Sequence, residues 1–253
     1  MTETAAAVRA EFTKLLGIRG TLAALLLFAP FSLLIAALGG WSAKGAIESD
    51  SPGLRPDFTP QQAGLDGVLY GQLALIVFGV LIVSSEYTSG MMRVSLLAVP
   101  RRGRLYAAKT AVTAAATAAL AIPVTVAGYL VTQLALGPHG ASIGASGVPR
   151  ALAGAVLYLT LMSLFAAGLA ATARSAVVPL AVLLPMVLAG SQILSVVGAT
   201  KEVVRYFPDR AGTRMLTVGA DDAYTGFAVL LAWTVAALAL GSYRHHRWDA
   251  GCR

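Results

Sequence analysis

Histidine is the side chain of this sequence best suited to chemistry near neutral pH, because its imidazole can transfer protons or bind zinc. His245 and His246 are adjacent, between Arg244 and Arg247, and His139 lies alone in a glycine-rich segment. Neighbouring histidines without other ligands are more typical of a solvated basic tail than of a metal site. The chain also contains no H-E-x-x-H motif. We therefore predict no catalytic residues and no metal ligands, and an enzyme is the less favoured interpretation.

A glycine-rich loop that could hold a nucleotide phosphate is not found either. Residues 137–149 contain four glycines. No strand pattern precedes them, and no lysine follows them at the spacing of the G-x-x-x-x-G-K-[ST] phosphate loop. We interpret this segment as a flexible connection. The chain itself is therefore expected to bind no cofactor.

Six long stretches without Asp, Glu, Lys or Arg must position any functional residues. They are residues 21–38, 67–85, 110–136, 151–173, 176–198 and 224–243. About 20 helical residues cross a hydrocarbon core about 30 Å thick, and each stretch comes near or exceeds that length. The composition agrees, since only 12% of the residues are charged, against about 25% in soluble domains. We predict an all-α polytopic membrane protein with one transmembrane domain; a water-soluble helical core is the less favoured alternative.

The basic residues predict how this bundle is oriented. Six crossings place both termini, residues 86–109 and Arg174 on one face, which carries 12 of the 19 lysines and arginines. By the positive-inside rule this face is cytoplasmic. We predict a protein of the cytoplasmic membrane with a cytoplasmic tail at 244–253, and topology explains the basic charge without a nucleic acid partner. Residues 39–66 are expected to form an irregular external loop, and residues 198–222 another external loop.

The N-terminal segment, residues 1–20, has the pattern of an amphipathic helix. Its apolar residues follow helical spacing at Val8, Phe12, Leu15 and Leu16. Polar residues occupy the other faces: Arg9, Glu11, Thr13 and Lys14. We predict a helix in the membrane interface, with a solvent-facing leader helix as the alternative. Cleavage as a signal peptide is disfavoured, because the apolar run that follows exceeds the usual 7 to 15 residues.

The six predicted membrane helices contain polar side chains in their cores, but none of these side chains is Asp, Glu, Lys or Arg. The most polar are Gln72, Gln133 and Gln192, which could line a translocation path or could hydrogen-bond between helices. Gly67 and Gly71 form a G-x-x-x-G pattern that permits close approach of another helix. The absence of ionisable groups from the cores argues against a proton- or sodium-driven carrier.

The segment between the second and third crossings is the most informative part of the chain. It is predicted to contain a short amphipathic helix that ends at Pro100 and is followed by a basic turn. Such a loop could dock on a partner protein, or its bases could simply set topology and contact lipid. The candidate coupling residues are Glu86, Gly90, Arg93, Leu96, Leu97, Pro100, Arg101, Arg102, Arg104 and Lys109.

The order and spacing of these residues resemble the corresponding loop of ABC transporter permeases of the type-2 (ABC-2) family. Met91 stands where many members have Thr. Two weaker similarities accompany the loop: residues 206–212, with Pro208, Ala211 and Gly212, resemble an external Pro-x-x-Ala-Gly segment, and residues 247–250 resemble the family's C-terminal ending.

The resemblance implies a permease subunit of an exporter with an N-terminal elbow helix and a cytoplasmic coupling helix. A separate ATPase subunit would bind and hydrolyse ATP with magnesium, and two permeases, expected to be a homodimer, would work with two ATPases. The cargo would be a drug, antibiotic, lipid or peptide-like compound. A membrane immunity, sensor or assembly protein that uses the same fold without transport is the main alternative.

Overall fold

A computed structural model describes residues 3–49, 57–91, 102–197 and 200–246, and these residues form helices, turns and no strand. The helices are α1 (Glu3–Gly17), α2 (Arg19–Glu48), α3 (Pro60–Thr88), α4 (Arg102–Leu136), α5 (Val148–Ala173), α6 (Val177–Pro185), α7 (Ser191–Val196), α8 (Lys201–Val204), α9 (Pro208–Thr213) and α10 (Ala223–His246). A π-helical turn, Met186–Gly190, joins α6 to α7, so that Val177–Val196 forms one continuous span. Among the described residues, six helices are long and apolar enough to cross a membrane. The prediction of an all-α chain with six helices suited to crossing a membrane is confirmed for the described residues.

The helices extend beyond the uncharged stretches that predict them. Helix α2 continues to Glu48, and α3 begins at Pro60, where the Thr59 side chain accepts a hydrogen bond from the Gln62 backbone N–H. Residues 39–48 and 60–66 are therefore helical, and the prediction of an irregular loop there is wrong. An uncharged stretch marks only the part of a helix suited to hydrocarbon, because charged side chains near helix ends can reach the polar headgroup layer.

Helices α3 and α5 form the centre of the bundle. About two-thirds of the residues in their most apolar parts are buried, against much smaller shares in α2, in the α6–α7 span and in α10. The outer helices expose large apolar side chains such as Leu27, Val182 and Val235. An apolar exterior around a buried centre is the arrangement expected of helices surrounded by lipid.

The predicted G-x-x-x-G pattern lies at the contact between α2 and α3. A Cβ atom at Gly67 would come within 3.0 Å of the Ala36 Cα, and one at Gly71 would overlap Ser32 and Phe28. Small residues at these positions therefore let the two helix backbones approach closely.

The segment between α7 and α10 folds back against the bundle. Predicted as an external loop, it contains α8, α9 and a 3₁₀ turn, Arg214–Leu216. Ala211, Met215 and Leu216 are buried, and Gly212 packs against the Tyr158 ring. Charged residues are too frequent here for a crossing, but the apolar residues among them still bury their side chains in the bundle.

Candidate functional site

Four charged side chains meet at the end of the bundle that holds α1, hereafter the α1 end. Lys14 Nζ lies 2.6 Å from Glu11 Oε1 and 2.9 Å from Glu86 Oε1. Lys109 Nζ lies 2.5 Å from Glu11 Oε2 and 2.9 Å from the same Glu86 oxygen. We call these four residues the charge network. It contains two acids and two bases, so that its formal charge is zero.

Three of the four side chains of the charge network are almost completely removed from solvent, and Lys14 is partly buried. Glu11, Glu86 and Lys109 are 3%, 1% and 5% exposed. Burial by itself would lower the pKa of Lys14, but the hydrogen bonds and charges of Glu11 and Glu86 outweigh burial and hold this pKa above its ordinary value. Buried ions persist only when they are well paired, because the loss of hydration is expensive. Each member of the network therefore depends on the others.

The charge network joins three separate parts of the chain. Glu11 and Lys14 belong to α1, Glu86 to the last turn of α3, and Lys109 to the third turn of α4. Both ends of the segment 86–109 are thus attached to α1 by ion pairs. Sequence reasoning singled out Glu86 and Lys109 but placed Glu11 and Lys14 on the polar faces of an interfacial helix. The opposite charges three residues apart on α1 were the available signal.

The buried face of α1 differs from its predicted apolar face. Leu15 is buried, but Phe12 and Leu16 of the same apolar face are about half exposed, while Ala7 and Glu11 face the bundle. Attraction between opposite charges, and not apolar burial alone, sets which face of α1 packs inward.

The other candidate coupling residues lie near the charge network or outside the described residues. Gly90 adopts a left-handed backbone with φ of +70°, directly after the C-cap of α3. Arg102 and Arg104 lie in the first turn of α4. Five candidates, and with them the predicted coupling helix, lie outside the described residues: Arg93, Leu96, Leu97, Pro100 and Arg101.

His245 belongs to the packed α1 end and not to a solvated tail. It is 2% exposed, its Nδ1 lies 3.3 Å from the Tyr87 hydroxyl, and its ring centroid lies 5.8 Å from that of Tyr106. The prediction of a solvated His245 is wrong, because α10 continues to His246 and carries the side chain between α3 and α4. Arg174 donates a hydrogen bond to the Arg244 carbonyl at 2.7 Å and ties α5 to α10 at the same end.

A polar cavity of about 540 Å³ opens toward the other end of the bundle, hereafter the far end. It lies between α3, α5, the α6–α7 span and α9, and it brings together Gln72 and Gln192 of the three predicted path residues. Gln72 is buried and accepts a hydrogen bond from the Tyr158 hydroxyl, whereas Gln192 is exposed. The lining includes Asp66, Leu69, Tyr70, Gln72, Leu73, Tyr158, Val187, Leu188, Ser191, Gln192, Asp209, Arg210 and Thr213.

Gln133 does not line this cavity and instead holds the start of α3 and a turn after α4 in place. Its Nε2 donates to the Pro60 carbonyl at 2.8 Å, and its Oε1 accepts from the Ala141 backbone N–H at 2.7 Å. These bonds join α4 to the start of α3 and to the turn after the 3₁₀ segment Gly137–His139. Its geometry is that of a structural residue.

Replacing Gln133 by Ala should therefore destabilise the protein by about 1–3 kcal/mol, because two hydrogen bonds are lost and their backbone partners are left without a protein partner. Unfolding of the purified variant in mixed detergent micelles measures this loss. Gln192→Ala is the matched control and should change stability by less than about 0.5 kcal/mol, since Gln192 is exposed. Equal stability of the two variants would contradict the structural role of Gln133.

No family model matches this chain, and no curated protein matches it. The assignment of function therefore depends on the charge network, the cavity and the segment between α3 and α4.

Proposed function

We propose that this chain is the permease subunit of an ATP-binding-cassette exporter whose ATPase is a separate polypeptide. The charge network is the observation that carries the proposal. It attaches both ends of the segment 86–109 to α1, and that segment is the part of the sequence that resembles the loop of ABC-2 permeases. Support also comes from six membrane-spanning helices and from a sequence without a phosphate-binding loop.

The proposed mechanism is mechanical transmission through the α1 end. Docking of the 86–109 segment on an ATPase would couple the movement of that ATPase to the ends of α3 and α4. Because buried ion pairs resist separation, α1 would move with these two helix ends as one unit. Helix α3 is central and lines the far cavity, so that a rigid movement of α3 would change the cavity as well. Rigid-body motion of packed helices is a common form of switching.

In this proposal the α1 end and both termini face the cytoplasm, and ATP and magnesium bind to the ATPase alone. Two permeases, expected to be identical, would combine with two ATPase subunits and export a drug-, antibiotic-, lipid- or peptide-like compound. A coupled helix bundle of this kind could also serve a membrane sensor, immunity or assembly protein that transports nothing. The presence of an ATPase partner distinguishes the two functions.

The direct experiment is to purify the tagged chain from solubilised membranes and identify its partners by mass spectrometry. Recovery of a lone ATP-binding subunit would support the exporter. Reproducible recovery without any ATPase, from cells that express the chain at its native level, would contradict it. Labelling of intact cells provides a second check, because reagents that do not cross the membrane should fail to reach residues 86–109.

Reversing the charge at Arg93 or placing proline at Gly90 should reduce capture of the ATPase by about 5- to 150-fold, the usual range of coupling between sites. Proline cannot adopt the φ of +70° found at Gly90. Both variants should insert into the membrane normally. The measurement is the amount of ATPase recovered per permease. Arg9→Glu is the matched control, because Arg9 is an exposed base of α1; wild-type capture by Arg93→Glu and Gly90→Pro would refute docking through this segment.

A further inference from the structure

A carboxylate in the far cavity is buried without a paired counter-charge. Asp209, in the first turn of α9, is 4% exposed and accepts a hydrogen bond from the Ser191 hydroxyl through Oδ2. Its other oxygen, Oδ1, is buried and has no hydrogen-bond partner among the residues that the structure describes. A hydroxyl group does not neutralise a carboxylate, and a buried charge that lacks an opposite charge is costly. Within the described part of the chain, the Asp209 carboxylate therefore has a hydrogen-bond donor on one oxygen only.

The surroundings of Asp209 favour loss of its negative charge. Burial raises the pKa of the Asp209 carboxyl above its ordinary value; the hydrogen bond from Ser191, the nearby backbone N–H groups and the charge of Arg210 offset only part of this effect. Helix α9 lies outside the six membrane-spanning helices. A cation placed beside this carboxylate would restore the balance.

The rest of the lining is suited to an organic cation. Asp66 supplies a second carboxylate, and Arg210 is the one base among the described residues of the lining. The Arg210 guanidinium donates to Ser195 Oγ at 3.3 Å. Tyr70, whose side chain is about half exposed, lines the same cavity, and the face of a tyrosine ring attracts ammonium groups. The lining thus combines two carboxyl groups and one base with an aromatic surface.

We propose that this cavity is a binding site for an organic cation, whose ammonium group pairs with Asp209 while Tyr70 contacts its apolar part. Leu69, Leu73 and Leu188 provide hydrocarbon for the remainder of the ligand. The cavity volume of about 540 Å³ falls within the range of small-molecule sites, about 300–1,000 Å³. The binding site itself does not depend on the proposed function. Only the conclusion that the bound cation is also the exported compound rests on it.

The test measures binding of ethidium, a fluorescent cation, to the purified full chain in nanodiscs of uncharged phosphatidylcholine. Empty nanodiscs supply the background. Ethidium should bind saturably, and benzyltrimethylammonium should displace it. Neopentylbenzene, the neutral carbon isostere of benzyltrimethylammonium, should not displace it. No ATPase is present, so that failure of the exporter proposal would leave this result unchanged.

Asp209→Asn should weaken ethidium binding by about tenfold or more, because it removes one partner of a buried charge pair. Glu202→Gln is the matched control, since Glu202 is an exposed acid at the same end, paired with Arg205, and should leave the affinity unchanged. Tyr70→Leu, at a half-exposed position, should also weaken ethidium binding. This variant replaces Asp209→Asn in the test if Asp209→Asn does not fold.

Three results, obtained with the wild-type chain or with the two site variants, would overturn the proposal. They are the absence of saturable ethidium binding by the wild-type chain, equal displacement by the cation and its neutral isostere, and wild-type affinity in the folded Asp209→Asn or Tyr70→Leu variant. A loss of affinity in Glu202→Gln equal to that in Asp209→Asn would likewise contradict a site at Asp209, because it would show general attraction to surface charge.

Discussion

Lys109→Met should lower the free energy of unfolding by about 3–5 kcal/mol, the usual cost of removing one partner from a buried ion pair. Lys109 contacts Glu11 and Glu86, and both carboxylates are nearly inaccessible to water. Methionine keeps much of the side-chain volume but leaves two buried carboxylates to share the Lys14 ammonium. The measurement is the midpoint of unfolding of the purified variant in mixed micelles titrated with sodium dodecyl sulfate.

Two further variants separate charge balance from packing. The double variant Lys109→Met with Glu86→Gln has a neutral network and should recover about 0.5–3 kcal/mol of the loss, as expected of residues in direct contact. Arg9→Met removes an exposed base from α1 and should change stability by about 0.5 kcal/mol or less. The double variant could instead be less stable than Lys109→Met by as much as Glu86→Gln alone destabilises the unmodified protein. The two substitutions would then act independently, and the four residues would not form one network.

Gly79→Ala should destabilise the protein by about 1–3 kcal/mol, the usual cost of forcing an extra methyl group into a packed core. Gly79 lies in the middle of α3 and faces the backbone of α5. A Cβ atom there would overlap the Ser163 carbonyl oxygen and come within 3.0 Å of its carbon. Backbone atoms cannot rotate away as a side-chain end can, so the two central helices would have to separate. The same micelle titration measures the loss.

Gly39→Ala is the comparison for this substitution. Gly39 also lies inside a helix, α2, but no atom of another described helix or loop lies within 4 Å of its Cβ position. Alanine should therefore stabilise this helix by about 0.5–1 kcal/mol through its better helix propensity. A loss of stability in Gly39→Ala as large as in Gly79→Ala would show that close approach of α3 and α5 is not the cause.

Much of the fold can be predicted from local composition. Each of the six uncharged stretches lies within, or nearly within, one observed span, because hydrocarbon selects helices by the hydropathy of their own residues. The ends of the helices are less predictable. Helix α2 continues ten residues beyond Leu38, to Glu48, because water and lipid headgroups tolerate a charged helix end as readily as a loop.

The candidate sites are predictable only in part. The loop pattern identifies Glu86 and Lys109 as candidates. Gln72 is identified because it is a polar group in an apolar core. Asp209 carries no comparable signal, because an acid among the charged residues of a presumed loop is expected to face water. Only the return of α9 against α5 and α7 removes it from solvent.

The sequence by itself determined which segments are helical and apolar enough to cross a membrane, since that property belongs to each stretch of about 20 residues alone. The tertiary structure decided which charges become partners. Glu11 meets Lys109 across 98 residues and Lys14 meets Glu86 across 72. Such pairs depend on the packing of whole helices, and the energy of a buried ion depends on its neighbours in space and not on those along the chain.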